Sequence, residues 1–240
     1  MPGGSRSVLL FEWWKPEVVV NLFVDCPWRL VVSDLDGTLV TGTTALDHLG
    51  AWIGHRAIIE GLEDRFTRGE VSDREVAEGY APFYEGVALA DAVDVMSRIP
   101  RLDDIGPAVA MLRQRSVDAF IATVSWSFAA QALADAWGFS QVCGADLELD
   151  QASGLFTGRV ARHFEPEDKV AFVADHCRRI GIGMKQVVAI GDGRSDLPLF
   201  RAVGFSVALN ASRAARAAAS TAVEGTSFLA ALQAVPHLLE

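Results

Sequence analysis

Val31-Val32-Ser33-Asp34-Leu35-Asp36-Gly37-Thr38-Leu39-Val40 is the stretch on which the reading of this chain turns. The apolar run from Leu30 to Val32 predicts a buried strand. Its acids come together at the strand end, where an open α/β sheet presents its ligand crevice. Side chains alternate along a strand, so Asp34 and Asp36 project to the same side. Two carboxylates placed so close repel each other and need a cation or a shared proton. Magnesium, a hard oxygen-seeking cation, is the natural partner. Gly37 lets the chain turn close to a bound oxyanion.

Working outward, the same pattern of apolar strand followed by polar punctuation recurs. Ala119 to Val124 leads into Ser125, Gln186 to Ile190 into Gly191-Asp192-Gly193, and Phe205 to Leu209 into Asn210; Ala222-Val223 is a weaker repeat. Helical patterns lie between them at Pro107 to Arg115, Ser127 to Trp137, Pro166 to Ile180 and Ser195 to Val203, and the Ala-rich run from Ala211 to Ala219 predicts another. Strands alternating with helices imply an α/β fold, a Rossmann-like parallel sheet with helices on both faces. Right-handed crossovers then gather the strand ends on one edge.

Residues 42–104 break this pattern. Thr44 to Trp52, Ala57 to Thr67, Ser72 to Tyr84 and Leu89 to Ile99 all read as helices, and Ser72 followed by Glu75 is a capping-box signature. The expected organisation is a catalytic core of residues 28–41 and 105–240, with a small helical insert at 42–104 after the first strand. Residues 1–27 form an N-terminal extension in which Val18 to Val24 reads as an extra strand or packing segment. Ala145 to Leu149 and Leu155 to Val160, flanking a turn-rich loop, predict a β-hairpin.

The formal net charge of −10 disfavours nucleic acid, whose phosphates need a basic face. It leaves room for a small phosphorylated substrate. The cysteines Cys26, Cys143 and Cys177 share no metal-type spacing and read as reduced thiols of a cytoplasmic protein. No 18-residue uncharged apolar run is present, so no membrane partner is expected.

Three further segments carry candidate chemistry. Ser125 ends the second strand just before a helix start, where its hydroxyl and the helix N–H groups suit phosphate. Lys169 opens a helix in a chain with only three lysines, and its compact ammonium suits a point where anionic oxygens meet. Gly191-Asp192-Gly193-Arg194-Ser195-Asp196 follows an apolar strand and opens a helix, bringing Asp192 to the strand ends with Asp196 one turn on.

Asp34-Leu35-Asp36-Gly37-Thr38 resembles motif one, DxDGT, of the haloacid dehalogenase superfamily. Ser125, Lys169 and the 191–196 segment resemble its motifs two, three and four in family order. The hairpin and the sequence from Gly158 to Asp196 resemble the phosphoserine phosphatase-like branch. The resemblance implies a helical cap at 42–104 and a phosphatase acting through an aspartyl-phosphate. Asp34 would be nucleophile and Asp36 general acid/base; Mg2+ would be held by Asp34, Asp36 (through its carbonyl) and Asp192. Ser125, Lys169, Gly37 and Thr38 would bind phosphate, and Asp196 would hold Lys169 or the metal's waters.

The chain departs from the branch in three places. Thr43 and Tyr80 fall where the resemblance implies ligands for the substrate's amine and carboxylate, and Trp126 replaces a glycine beside the phosphate. These three candidate substrate contacts argue for a small organic phosphate other than phosphoserine. Phosphoserine phosphatase proper is the alternative, and a phosphoaspartate signalling module is the reading from another class. Asp36 separates the hydrolase from the signalling module, because hydrolysis needs that acid/base. A monomer or homodimer with a small phosphorylated metabolite as partner completes the expectation.

Overall fold

The computed structural model describes residues 26–240, so the reading of Val18 to Val24 lies outside the described residues. Seven strands form one sheet: β1 (Leu30–Ser33), β2 (Asp118–Trp126), β3 (Gln141–Asp150), β4 (Leu155–Arg162), β5 (Val187–Gly191), β6 (Phe205–Leu209) and β7 (Thr221–Val223). Their order is β4-β3-β2-β1-β5-β6-β7. Every pairing is parallel except β3 with β4. All four residues of β1 are buried, as a parallel strand covered on both faces requires.

Ser33 pairs with Ile121 on one side and Ile190 on the other. The residues just past these three positions therefore share one edge of the sheet. Strand order reverses at β1, with β2 to one side and β5 to the other, and that switch point opens the crevice.

The inserted segment between β1 and β2 holds α1 (Ala45–Ile53), α2 (Arg56–Thr67), α3 (Asp73–Tyr80) and α4 (Leu89–Met96). Ser72 and Glu75 form both halves of a capping box at the start of α3. Beyond the insert come α5 (Ile105–Gln114), α6 (Ser127–Trp137), α7 (Pro166–Ile180), α8 (Leu197–Ala202), α9 (Arg213–Ala218) and α10 (Phe228–Gln233). By their contacts α5, α6 and α10 form one group and α7, α8 and α9 another.

The insert is tied to the core through the hairpin. Gly86 N donates to Phe156 O at 2.9 Å, Phe156 N to Val87 O at 2.9 Å, and Leu89 N to Gly154 O at 3.1 Å. Tyr84 packs edge-on against Trp126, Phe128 and Phe156. Leu49, Ile59, Tyr80 and Met96 of the insert belong to the same continuous hydrophobic core as the strands.

Three elements differ from the sequence reading. β3 starts at Gln141, and its first half pairs with β2 before the second half pairs with β4. Gly144 permits this, because a Cβ there would lie 2.7 Å from Ser125 O. The helix expected from Ser195 is a short 3-10 turn over Arg194–Asp196 followed by α8, with Pro198 in its first turn. The helix α10 was not expected; Ser227 is its N-cap, and Asp104 accepts from its first N–H groups, Phe228 N at 2.7 Å and Leu229 N at 3.1 Å.

Candidate active site

The acids of the first stretch stand at the sheet edge. Asp34 follows β1, and its backbone N donates to Ile190 O of β5 at 2.8 Å. The residue is 6% exposed. Lys169, wholly buried on the first turn of α7, donates to Asp34 Oδ1 at 3.0 Å and to Asp196 Oδ1 at 2.8 Å. Asp196 Oδ2 in turn accepts from the backbone N of Asp192 and of Gly193, each at 3.1 Å. One carboxylate thus orients both the lysine and the loop that carries Asp192.

Asp192 Oδ1 accepts from the Thr38 hydroxyl at 3.1 Å. Gly37 has φ of +79°, and a Cβ on it would collide with the Asp192 carboxylate. Both residues therefore serve Asp192. Thr38 is buried with its hydroxyl on Asp192, and neither Gly37 nor Thr38 is among the described residues lining the crevice.

Asp36 lines the crevice and accepts from Ala45 N at 2.6 Å. Ala45 opens α1, whose N-cap is Thr44, so the helix N-terminus holds this carboxylate in place. Ser125 also lines the crevice, buried, and its hydroxyl has no hydrogen-bond partner within ordinary distance among the described residues. Beside it α6 begins at Ser127 without a side-chain cap, leaving its first N–H groups for an anion.

The electrostatics are those of a site short of positive charge. Burial raises the Asp34 carboxyl well above the usual range; Asp196 adds to this and Lys169 opposes it. Burial likewise lifts Asp192 to about 7, with Asp196 adding to it. Burial lifts Asp36 to about 6, against the pull of the Ala45 N–H and Lys169. Burial pushes the Lys169 ammonium down, but Asp196 and Asp34 outweigh it and hold the group above its ordinary value.

Carboxylate oxygens of Asp34, Asp192 and Asp196 all lie within 4.8 Å of one another. One ammonium does not neutralise this group, and an all-oxygen donor set suits a hard divalent cation. Asp196 has both oxygens engaged, so Asp34 and Asp192 are the carboxylates left for an ion. The Asp36 carboxylate is not a member of this group.

A model of the HAD family, described as haloacid dehalogenase-like hydrolase, matches residues 31–201. The chain belongs to this family. It is similar to the phosphoserine phosphatase of Polaromonas sp., with 28% identity over 223 residues, 87% of this chain and 92% of that one. The phosphoserine phosphatase of Archaeoglobus fulgidus is 28% identical over 184 residues, covering 76% of this chain but 53% of its own length. A solved phosphoserine phosphatase with a phospho-aspartyl intermediate analogue shares the fold at TM-score 0.75 and 17% identity, covering 87% of this chain and 99% of that one. A substrate-bound phosphoserine phosphatase does so at TM-score 0.76 and 17% identity, covering 87% and 98%.

In this hydrolase the crevice widens into a cavity of about 510 Å³ between the sheet edge and the insert. Leu46, Phe66, Val76, Ala77 and Trp126 give it an apolar wall; Thr44, Glu63, Asp73 and Arg194 are its polar groups away from the strand ends. Trp126 is 1% exposed and meets Tyr84 edge to face with centroids 6.0 Å apart. Thr43 and Tyr80 do not line the cavity, which corrects their expected place as substrate contacts. Thr43 bonds the Thr44 carbonyl at 3.3 Å, and Tyr80 is fully buried with its hydroxyl on Ile59 O at 3.1 Å. Asp73, Val76 and Ala77, earlier on the same face of α3, line the cavity instead.

Glu63 escaped the sequence reading although a signal existed. It sits four residues after Ile59 and three before Phe66, so an acid interrupts the apolar stripe of α2. Its carboxyl accepts from the Thr44 hydroxyl at 2.7 Å, and burial, reinforced by Asp47, pushes it up to about 8. Among the described residues, no helix is long and apolar enough to cross a membrane.

Proposed function

We propose that this phosphatase hydrolyses a small organic phosphate monoester in two steps, with Asp34 as nucleophile and Mg2+ as cofactor. The observation that carries the reading is the setting of Asp34. It is buried at the crevice floor, fixed by Lys169 through one oxygen, and grouped with Asp192.

Lys169 orients Asp34 for in-line attack and offsets the charge of the phosphoryl group. Ser125 Oγ and the N-terminus of α6 bind phosphoryl oxygens. Asp36, with its proton affinity lifted to about 6, protonates the leaving alcohol oxygen. The attack forms a bond from an Asp34 oxygen to phosphorus as the ester P–O bond breaks. Asp36, now ionised, takes a proton from the water that hydrolyses the aspartyl-phosphate. Asp34 and Asp192 would hold the magnesium ion, which supplies charge stabilisation to the transferring phosphoryl group. Residues 42–104 act as the cap that walls this chemistry off from water, and 28–41 with 105–240 form the core. The three unpaired cysteines accord with a cytoplasmic setting.

Phosphoserine is one candidate substrate, as the names of the relatives indicate. The argument against it from Thr43 and Tyr80 falls with their placement off the cavity. Purified protein assayed with magnesium against a panel of phosphate monoesters tests the proposal. Magnesium-dependent release of phosphate is expected; no turnover of any monoester would overturn it.

A further inference from the structure

Among the described residues that line the cavity, Arg194 is the only lysine or arginine, since Lys169 lies buried behind Asp34. Five acids, Asp34, Asp36, Glu63, Asp73 and Asp192, line the same space. Arg194 nevertheless makes no side-chain hydrogen bond and no ion pair with any described residue. Its guanidinium rests on the Phe66 ring, with Cζ 4.4 Å from the centroid. A Cβ on Gly69 would lie 3.4 Å from Arg194 Nη1, so the side chain reaches from the core loop to the insert. Asp73 feels its charge at a distance.

A cation seated on an aromatic face spends its charge on the ring but keeps its N–H edge for an acceptor. The loop that carries it is fixed at both ends: Asp192 N and Gly193 N bond Asp196, and Ser212 N bonds Asp192 O at 2.9 Å. An exposed, unspent fork carried on a fixed loop at the cavity wall is a ready partner for a planar oxyanion. Every other ionisable side chain among the described lining residues is an acid, so Arg194 is the positive partner that wall offers to a second negative charge.

We propose that Arg194 is a specificity-determining residue that binds an acidic group, a carboxylate in the first instance, on the alcohol part of the phosphate monoester. The inference rests on the phosphatase reading above and adds the chemical class of the leaving group. A purely structural role, holding the insert through Phe66 or balancing Asp73, would not make binding depend on a substrate carboxylate.

The test uses ester pairs matched except for that group: phosphoserine against phosphoethanolamine, and phosphoglycolate against ethyl phosphate. Each is measured as a competitor of 4-nitrophenyl phosphate hydrolysis by the full chain with magnesium. A charge-assisted hydrogen-bond pair predicts that the carboxylated member of each pair binds ~10-fold or more tightly to the unmodified protein. Arg194→Gln is expected to bring that ratio to ~1, and Arg194→Lys, which keeps the charge but loses the fork, to an intermediate value. The ratio is taken within each variant, so a general loss of turnover cancels. No preference for the carboxylated esters, or an undiminished preference in Arg194→Gln, overturns the proposal while leaving the phosphatase reading intact. Failure of the unmodified protein to hydrolyse 4-nitrophenyl phosphate would overturn that reading itself.

Discussion

At the residue scale the site is a balance of buried charge. Lys169, with no exposure, is among the described residues the one buried ammonium facing Asp34 and Asp196, and each of the three would be costly alone. Lys169→Met is therefore expected to lower unfolding stability by ~3–5 kcal/mol in metal-free buffer, because two buried carboxylates lose their partner. Urea denaturation checks this; a midpoint equal to that of the unmodified protein would show that the pair is not structurally required. Asp34, Asp36 and Asp192 were legible in the sequence because each sits within a few residues of a strand end, where local order alone decides position. The support that Gly37 and Thr38 give to Asp192 was not legible. Their contact with Asp192 crosses from β1 to β5 and depends on a pairing that no local pattern states.

At the scale of elements, the cavity is set by which part of the insert's helices reaches over the sheet edge. Thr43 precedes the cavity-lining Thr44, the N-cap of α1, and Tyr80 lies one turn beyond Val76 and Ala77 on the same face of α3. Spacing along the chain gives the face of α3 but not how far along that face the cavity extends. The hairpin half of β3 was legible from alternation, whereas its parallel half at Gln141 to Cys143 was not, being short and followed by glycine.

Glu63 gives this scale its prediction. Its carboxyl rises from 4.5 to about 8 in the fold, so between those values the folded chain holds a proton that the unfolded chain releases. Stability therefore falls as pH rises through that window. Glu63→Gln removes the titration, so its melting temperature is expected to gain on that of the unmodified protein from about pH 5 to about pH 9. A constant difference across that range would show that Glu63 is not held protonated.

For the whole molecule, a seven-stranded sheet gathers Asp34, Ser125 and Asp192 at one edge, and an inserted helical segment roofs them. The alternation of strands and helices made this architecture readable before any contact was known. An ion bound by the folded chain alone stabilises it by mass action. Magnesium is therefore expected to raise the melting temperature progressively with concentration, and a chelator to reverse the gain. A melting temperature indifferent to both would remove the metal from the account.

The central claim is that Asp34 takes the phosphoryl group and Asp36 governs its release. Losing a general acid/base commonly costs ~10²–10⁴-fold, and an ester with a good leaving group escapes the first of the two steps that need it. Asp36→Asn mixed with magnesium and 4-nitrophenyl phosphate is thus expected to release a burst of about one equivalent of nitrophenol. Intact-mass analysis of the quenched protein should then show one added phosphoryl group, and peptide mapping should place it on Asp34. No burst and no covalent phosphoryl group, or a phosphoryl group on another residue, would contradict the account.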